Sequence, residues 1–255
     1  MAPVYADHPF PLIPTPVFLA KSKGEEPDMF DELASEMCHV HNMILRGLNS
    51  IYLQAPHITP ADEKPFCRYV LGWYNLLHSH HSGEEADFFP TVENMTGVKG
   101  LMDNNVDQHK AFHDGMDSLK AFADAVVADK EKYDASRLVA LIDDFGPALT
   151  QHLGDEIPTI LSLRQYGEKM AGLPKAFDKE GEKAMKELGP SGMLWCFANI
   201  DMGYENGMWQ SWPPAPAPAK LFLKSVFWWL NPDLRKFGAV DRTGRLQPLY
   251  AVKAE

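Results

Sequence analysis

Cysteine is scarce in this chain, and what there is lies scattered. Cys38, Cys67 and Cys196 are odd in number and stand in no CxxC spacing, which leaves neither a disulfide framework nor a zinc knuckle and fits a reducing compartment. No apolar run reaches the roughly eighteen residues that would suggest a membrane span. Clusters of Lys and Arg are absent too, and the formal charge is −11. Phosphate recognition needs a basic footprint, so neither a nucleic acid nor an acidic membrane surface is an expected partner. The first residues, MAPVYADHPFPLIPTP, have no basic n-region and no continuous apolar h-region, and do not read as a secretory signal. The cytoplasm is the expected location.

Histidine is what the chain has in quantity, and it is patterned. His41 stands on its own, while Glu84 follows His80 by four residues, His113 follows His109 by four, and Glu156 follows His152 by four. Residues four apart lie one above the other on a helix face, so each pair can aim two ligands at one point. A single histidine on an apolar stripe is ordinarily a hydrogen-bonded core residue. A set of imidazoles and carboxylates at matching depths is different, because burying it without a metal would be costly.

Residues 1–27 read as a Pro-rich, then polar, arm. A first helix is predicted from Asp28 to Gln54, with Phe30, Leu33, Met37, His41, Ile44, Leu48 and Ile51 on one stripe. Thr59, with Pro60 behind it, predicts the start of a second helix that runs to about Glu93 and turns Val70, Trp73, Leu77, His80, Glu84 and Phe88 inward. The third covers about Asp103 to Asp129, facing inward with Val106, His109, Phe112, His113, Met116 and Leu119. Asp134 is the expected cap of the fourth, whose face carries Leu138, Leu141, Phe145, Leu149, His152, Glu156 and Ile160 and which Pro147 and Pro158 are expected to kink. Long amphipathic helices with short links make an all-α, up-down-up-down four-helix bundle.

Depth along the bundle is consistent with a shared site. With a rise of about 1.5 Å per residue, Glu84 and His109 fall at one level, as do His113 and His152, whereas His41 needs an offset or a longer link. A ferritin-like di-iron bundle would need a pair of ExxH motifs, and the chain has only Glu36 to His39, off the apolar stripe. His39 and His78 point away from the faces of His41 and His80. With His8 and His57 they read as surface residues, or at most as partners of ligands. Cys38 reads as a packed core thiol.

The segments HNMILRGLNSI from His41, HHSGEEADFFP from His80, QHKAFHDGM with His109 and His113, and QHLGDEIPTI with His152 and Glu156 together resemble the successive ligand motifs of the hemerythrin-like, or HHE cation-binding, family. The resemblance covers about residues 28–165. It implies a four-helix bundle around two iron ions joined by an oxo or hydroxo bridge, with manganese or zinc as the competing metals. By position it implies His41, His80, Glu84, His109, His113, His152 and Glu156 as ligands. The doublets His80–His81 and Glu84–Glu85 also permit a frame that pairs His81 with Glu85; the distance to Phe89–Pro90 favours His80 with Glu84. Oxygen-carrying members place a carboxylate where this chain has Ile157, and Glu156 matches the spacing of other branches. If both carboxylates and a solvent oxygen bridge, roughly eleven of twelve octahedral positions are filled, leaving one for O2 or another small ligand.

Beyond the bundle, assigned to residues 28–171, residues 172–255 form an extension outside the resemblance. Its segment LPKAFDKEGEKAMKELG predicts a short exposed helix ended by Gly189 and Pro190, and PPAPAPA predicts extended polyproline geometry. It carries Trp195, Trp209, Trp212, Trp228 and Trp229, too aromatic a set for a disordered tail. The extension is expected to pack on the bundle or to cap it. The leading expectation is a di-iron protein that binds O2 or a related ligand. The alternatives are an O2-dependent oxidoreductase acting on a small organic substrate, and an iron or oxygen sensor.

Overall fold

Asp28 starts the helix around which the others are arranged. Its Oδ1 accepts hydrogen bonds from the backbone of Phe30 at 2.8 Å and Asp31 at 3.1 Å, while Asp31 Oδ2 accepts from Asp28 N at 2.9 Å, a reciprocal capping box. Arg164 hydrogen-bonds the same carboxylate and holds it down to about 2. The computed structural model describes residues 2–213, 217–222, 225, 228–230 and 232–252. A short helix α1 (Pro16–Ser22) capped by Thr15 leads into α2 (Met29–Gln54).

Helix α3 (Glu63–Gly83) begins later than predicted. Thr59 and Pro60 belong to a turn, in which the Thr59 hydroxyl donates to Asp62 at 3.2 Å. A π-helical turn, Glu84–Phe88, joins α3 to α4 (Phe89–Thr96). Pro90 explains it: proline has no N–H for the carbonyl four residues back, Ala86, and its ring crowds that carbonyl, so the helix widens. Helix α5 (Asp103–Val127) and helix α6 (Ala135–Ser162) complete the bundle, with Asp134 capping α6 by accepting from Arg137 N at 3.0 Å. Pro147 and Pro158 lie inside α6.

Packing divides the interior into layers. One apolar cluster gathers Leu48, Phe66, Trp73, Leu119 and Phe145. A second, at the other end, gathers Phe30, Met37, Phe88, Val92 and Ile160. On α2, α3 and α5 the histidines and glutamate of the candidate site lie between them in sequence, and on α6 Glu156 does so with His152 one turn before it, so the site forms a polar layer between two dry ones. The outer side of α2 is covered as well. Asn49 donates to Ala6 O at 3.0 Å and Phe10 O at 2.9 Å, and Asn42 pairs with both backbone groups of Ile13.

The extension is built into this core. Helix α7 (Leu173–Phe197) has a first part that ends at Gly189, where φ is 62°, as the sequence predicts; what was not expected is that a second helical part resumes directly after it. The resumed part delivers Trp195, fully buried, between α2 and α3. Added Cβ atoms at Gly47 and Gly72 would lie 2.2 and 2.6 Å from its ring, so only glycine leaves the slot open. The indole N–H donates to Tyr69 O at 3.0 Å. Of PPAPAPA, residues 214–216 lie outside the described residues, and the last three open a helix, Ala217–Phe222, in place of the extended geometry expected.

Trp195→Ala is expected to destabilise the fold by about 3–5 kcal/mol, the range for emptying an aromatic core site. Urea unfolding followed by circular dichroism measures it. A loss below about 1 kcal/mol would mean that the bundle closes without the ring.

Candidate metal centre

Each helix of the bundle contributes to the polar layer. From α2 comes His41, fully buried, with Nδ1 at 2.8 Å from Leu153 O. A carbonyl only accepts, so Nδ1 is the donor, and Nε2 is the ring nitrogen turned towards the interior. His109 on α5 is oriented likewise, its Nδ1 2.6 Å from Glu85 Oε1, and His152 on α6 by Gln108 Oε1 at 3.1 Å. These are the tautomers a metal requires, fixed by partners behind the ring.

The Nε2 atoms converge. His41 Nε2 lies 3.2 Å from His80 Nε2, and His109 Nε2 lies 3.0 Å from His152 Nε2. Glu84 reaches towards both pairs, with Oε1 at 3.1 Å from His80 Nε2 and Oε2 at 3.5 Å from His109 Nε2. Glu156 Oε2 is 3.3 Å from His41 Nε2. Yet all four carboxylate oxygens of Glu84 and Glu156, and His81 Nε2, are buried without a hydrogen-bond partner. The groups are close but do not aim at one another, an arrangement that fits donors to a common cation.

The donors sort into His41, His80, Glu84 and Glu156 on one side and His81, Glu84, His109 and His152 on the other, in each case with ligand atoms within 4.8 Å of one another. Glu84 belongs to both. Nitrogen and carboxylate donors in this mixture suit iron, manganese or zinc, and the residues fit a two-metal site.

Electrostatics agree with that fit. Burial, reinforced by neighbouring imidazoles, pushes His80 and His81 well below the usual histidine range, so both stay neutral. Burial likewise takes His152 down to about 3. Burial and the adjacent Glu156 push Glu84 well up, whereas for Glu156 the opposing burial is outweighed by His41, and its carboxyl is lowered. Two carboxylates forced together in a dry layer are a poor arrangement unless a cation separates them.

Two placements differ from the sequence expectation. His113 is outside the site, its side chain 57% exposed and 3.6 Å from Asp117. The buried stripe of α5 runs Asn105, His109, Phe112, Met116 and Leu119, so the inward position one turn after His109 goes to Phe112 and His113 is rotated out. In its stead α3 supplies His81. His80 and His81 had been read as mutually exclusive frames, since neighbours diverge by about 100°. They serve the two donor groups separately, and Glu84, about 40° round from His80 and about 60° from His81, sits between them.

Glu85 is not a donor to either group; it is half-exposed and acts on His109 from behind. His39, expected at the surface, is buried against Trp209 and Trp212. His8, His57 and His78 are exposed. Cys38 is buried, its Sγ 3.8 Å from Pro14 O, with burial pushing the thiol far up. The HH doublet was the signal for His81; nothing in the spacing alone marks Gln108 or Glu85 as supports.

A helical bundle with a histidine and glutamate layer of this kind belongs to the hemerythrin HHE cation-binding domain family, whose model matches residues 32–161. Among curated proteins, the chain is 31% identical over 250 residues to the dimeric xanthone biosynthesis cluster protein R11 of Cryptosporiopsis sp. (strain 8999), covering 97% of this chain and 92% of that one. No solved structure matches.

The geometry orders three substitutions by metal content. Glu84→Ala is expected to abolish stable loading, since it removes a donor from both groups. Glu85→Ala, which loosens His109, is expected to weaken affinity about 10–100-fold. His113→Ala is expected to leave it unchanged. Metal per chain after dialysis against graded chelator measures all three; loss of metal in His113→Ala would show that α5 rotates when loaded.

Proposed function

We propose that this chain is a non-haem di-iron protein that takes O2 or a related small ligand at an open iron position. The observation that carries the reading is the convergence of five imidazoles and two buried, unpartnered carboxylates on two donor groups that share Glu84. Two iron ions bound there would supply a coordination position for O2 and the electrons to reduce it. His81, His109 and His152 would hold one iron; His41 and His80 would hold the other, with Glu84 bridging and Glu156 closing the set. Each group offers four donor residues, so an iron held there would keep positions for a bridging solvent oxygen and for a small ligand.

The chain's own residues contribute orientation and dryness. Leu153 O, Glu85 and Gln108 hold three imidazoles in the coordinating tautomer before any metal arrives. The two apolar clusters exclude bulk water from the layer, which strengthens every charge interaction inside it. From α7, Phe177 packs on Phe88 at a ring distance of 5.6 Å and Lys183 pairs with Asp87 at 2.5 Å, so the extension covers the π turn beside Glu84.

A second reading, an O2-dependent oxidoreductase acting on a small organic substrate, is favoured by the relative named for a dimeric xanthone biosynthesis cluster and by alignment with it across the extension as well as the bundle. On this reading the extension shapes access to the centre. No described helix is long and apolar enough to cross a membrane, and we place the activity in the cytoplasm.

Protein produced with iron is expected to hold about two irons per chain, as the donor count requires, and to change its visible spectrum on exposure to O2. Less than about one iron per chain, or zinc in its place after metal competition, would overturn the di-iron reading. Reversible oxygenation without reductant-driven O2 consumption would favour binding over the oxidoreductase; sustained consumption dependent on an added organic substrate would favour the reverse.

A further inference from the structure

The donor layer is covered on most sides. The two apolar clusters lie above and below it, and the N-terminal arm is tied to the outer side of α2. Across α5 and α6 lies Gln108, held by His152 at 3.1 Å and by Asp155 at 3.0 Å. The place where α7 meets the end of α3 is built differently.

Gly83, the residue before Glu84, leaves a gap there that a carboxylate of the extension fills. A Cβ at position 83 would collide with Glu180 Oε1. The backbone does not call for glycine at this point: φ is −67°, an ordinary helical value, and glycine weakens a helix interior. Its use is to let the Glu180 carboxylate lie against the helix. Phe177 and Lys183, three residues to either side on the same face of α7, fasten that face to the π turn through Phe88 and Asp87.

Glu180 itself is half-buried, and among the described residues no hydrogen bond or ion pair reaches its carboxylate; Lys183 is taken by Asp87. Burial, with Asp87 and Glu156, pushes its carboxyl up to about 7 against the pull of Lys183. Behind burial and Glu156, Glu180 in turn adds to the upward push on Glu84. Three carboxyl groups thus feel one another with no cation among them.

We propose that Glu180 is the entry ligand of the metal centre: a carboxylate on the extension that takes a divalent transition-metal ion from solvent and passes it to Glu84, a role that rests on the layer being a metal site. Its position supplies both halves of that role. One side of the half-buried carboxylate meets solvent, and the other lies beside the residue that precedes Glu84, itself 1% exposed with both oxygens unpartnered. Glu180 belongs to neither donor group. A single carboxylate holds a transition metal less firmly than the mixed imidazole and carboxylate groups beyond it, so the ion is drawn inward instead of stopping at the rim.

Cobalt(II) is the probe. The full chain is loaded with it, and its visible absorption times release into excess chelator and uptake when cobalt(II) is restored. Glu180→Gln keeps the shape and removes the charge. Uptake is expected to slow about tenfold, the lower end of what a charged entrance adds to association. A residue on the route lowers the barrier in both directions, so release should slow in step, with cobalt per chain at saturation unchanged. Gly83→Ala keeps the charge but occupies the carboxylate's place, and is also expected to slow uptake.

Uptake at the unaltered rate in Glu180→Gln would overturn the proposal. So would faster release with less cobalt held, which would make Glu180 a resident donor or part of a lid over the centre. Failure of the unaltered chain to take up cobalt is a separate result: it would remove the metal reading, and the entry route with it. If Glu180→Gln does not fold, Gly83→Ala carries the test, and an unchanged uptake rate there overturns the proposal equally.

Discussion

The costliest feature of this molecule is the burial of Glu84 and Glu156 side by side with no hydrogen bond to any of their oxygens. A carboxylate taken out of water without a partner is among the least favourable things a fold can contain. Everything around the layer is arranged as if that cost is recovered by a cation. Burial keeps His80, His81 and His152 neutral, and the outer nitrogens of His41, His109 and His152 are tied to a carbonyl, a carboxylate and an amide. Seen this way, apolar packing above and below does more than stabilise helices: it keeps out the water that would otherwise solvate the carboxylates and compete with a metal.

The site is also asymmetric in how it is held. The imidazole of His41 is fixed by a backbone carbonyl on α6, which can move only with the helix, whereas His109 is fixed by Glu85, a half-exposed side chain with its own charge. Carboxylate support makes an imidazole a stronger donor than carbonyl support does. The two donor groups therefore differ in basicity as well as in their number of imidazoles. The α7 contacts with the π turn bring the extension next to the segment that carries both Glu84 and Glu85, so the extension and the donors are mechanically joined.

Much of this was legible in the residues. The stripes of α2 and α6 turned His41 and His152 inward, that of α3 turned His80 but not His81, and Asp28 and Asp134 marked helix starts that the backbone confirms. Helix α5 was harder. His109 and His113 both satisfy a four-residue rule, but that rule tolerates about 40° of drift, and whether a stripe continues through residue 112 or 113 is decided by what fills the facing core. Phe112 filled it, and an imidazole from α3 took the vacant role. The start of α3 failed for a different reason: Thr59 and Pro60 are good first-turn residues for a helix and equally good turn residues. The resumption of α7 past Gly189 was hidden because a glycine followed by proline ends most helices, and only the tertiary slot for Trp195 makes continuing worthwhile.

That slot has a bearing on how chains of this architecture can be told apart. Gly47 and Gly72 stand on different helices and have no local duty there, since neither lies at a turn; in a free-standing bundle each would simply weaken its helix by about 1 kcal/mol relative to alanine. Their absence of side chain makes sense only as the negative of an indole contributed from more than a hundred residues away. Among bundles of this family, a small residue at both positions thus becomes a written trace of the missing piece: it would betray an aromatic extension even in a fragment that stops short of it, and bulky residues there would mark a bundle that closes on itself.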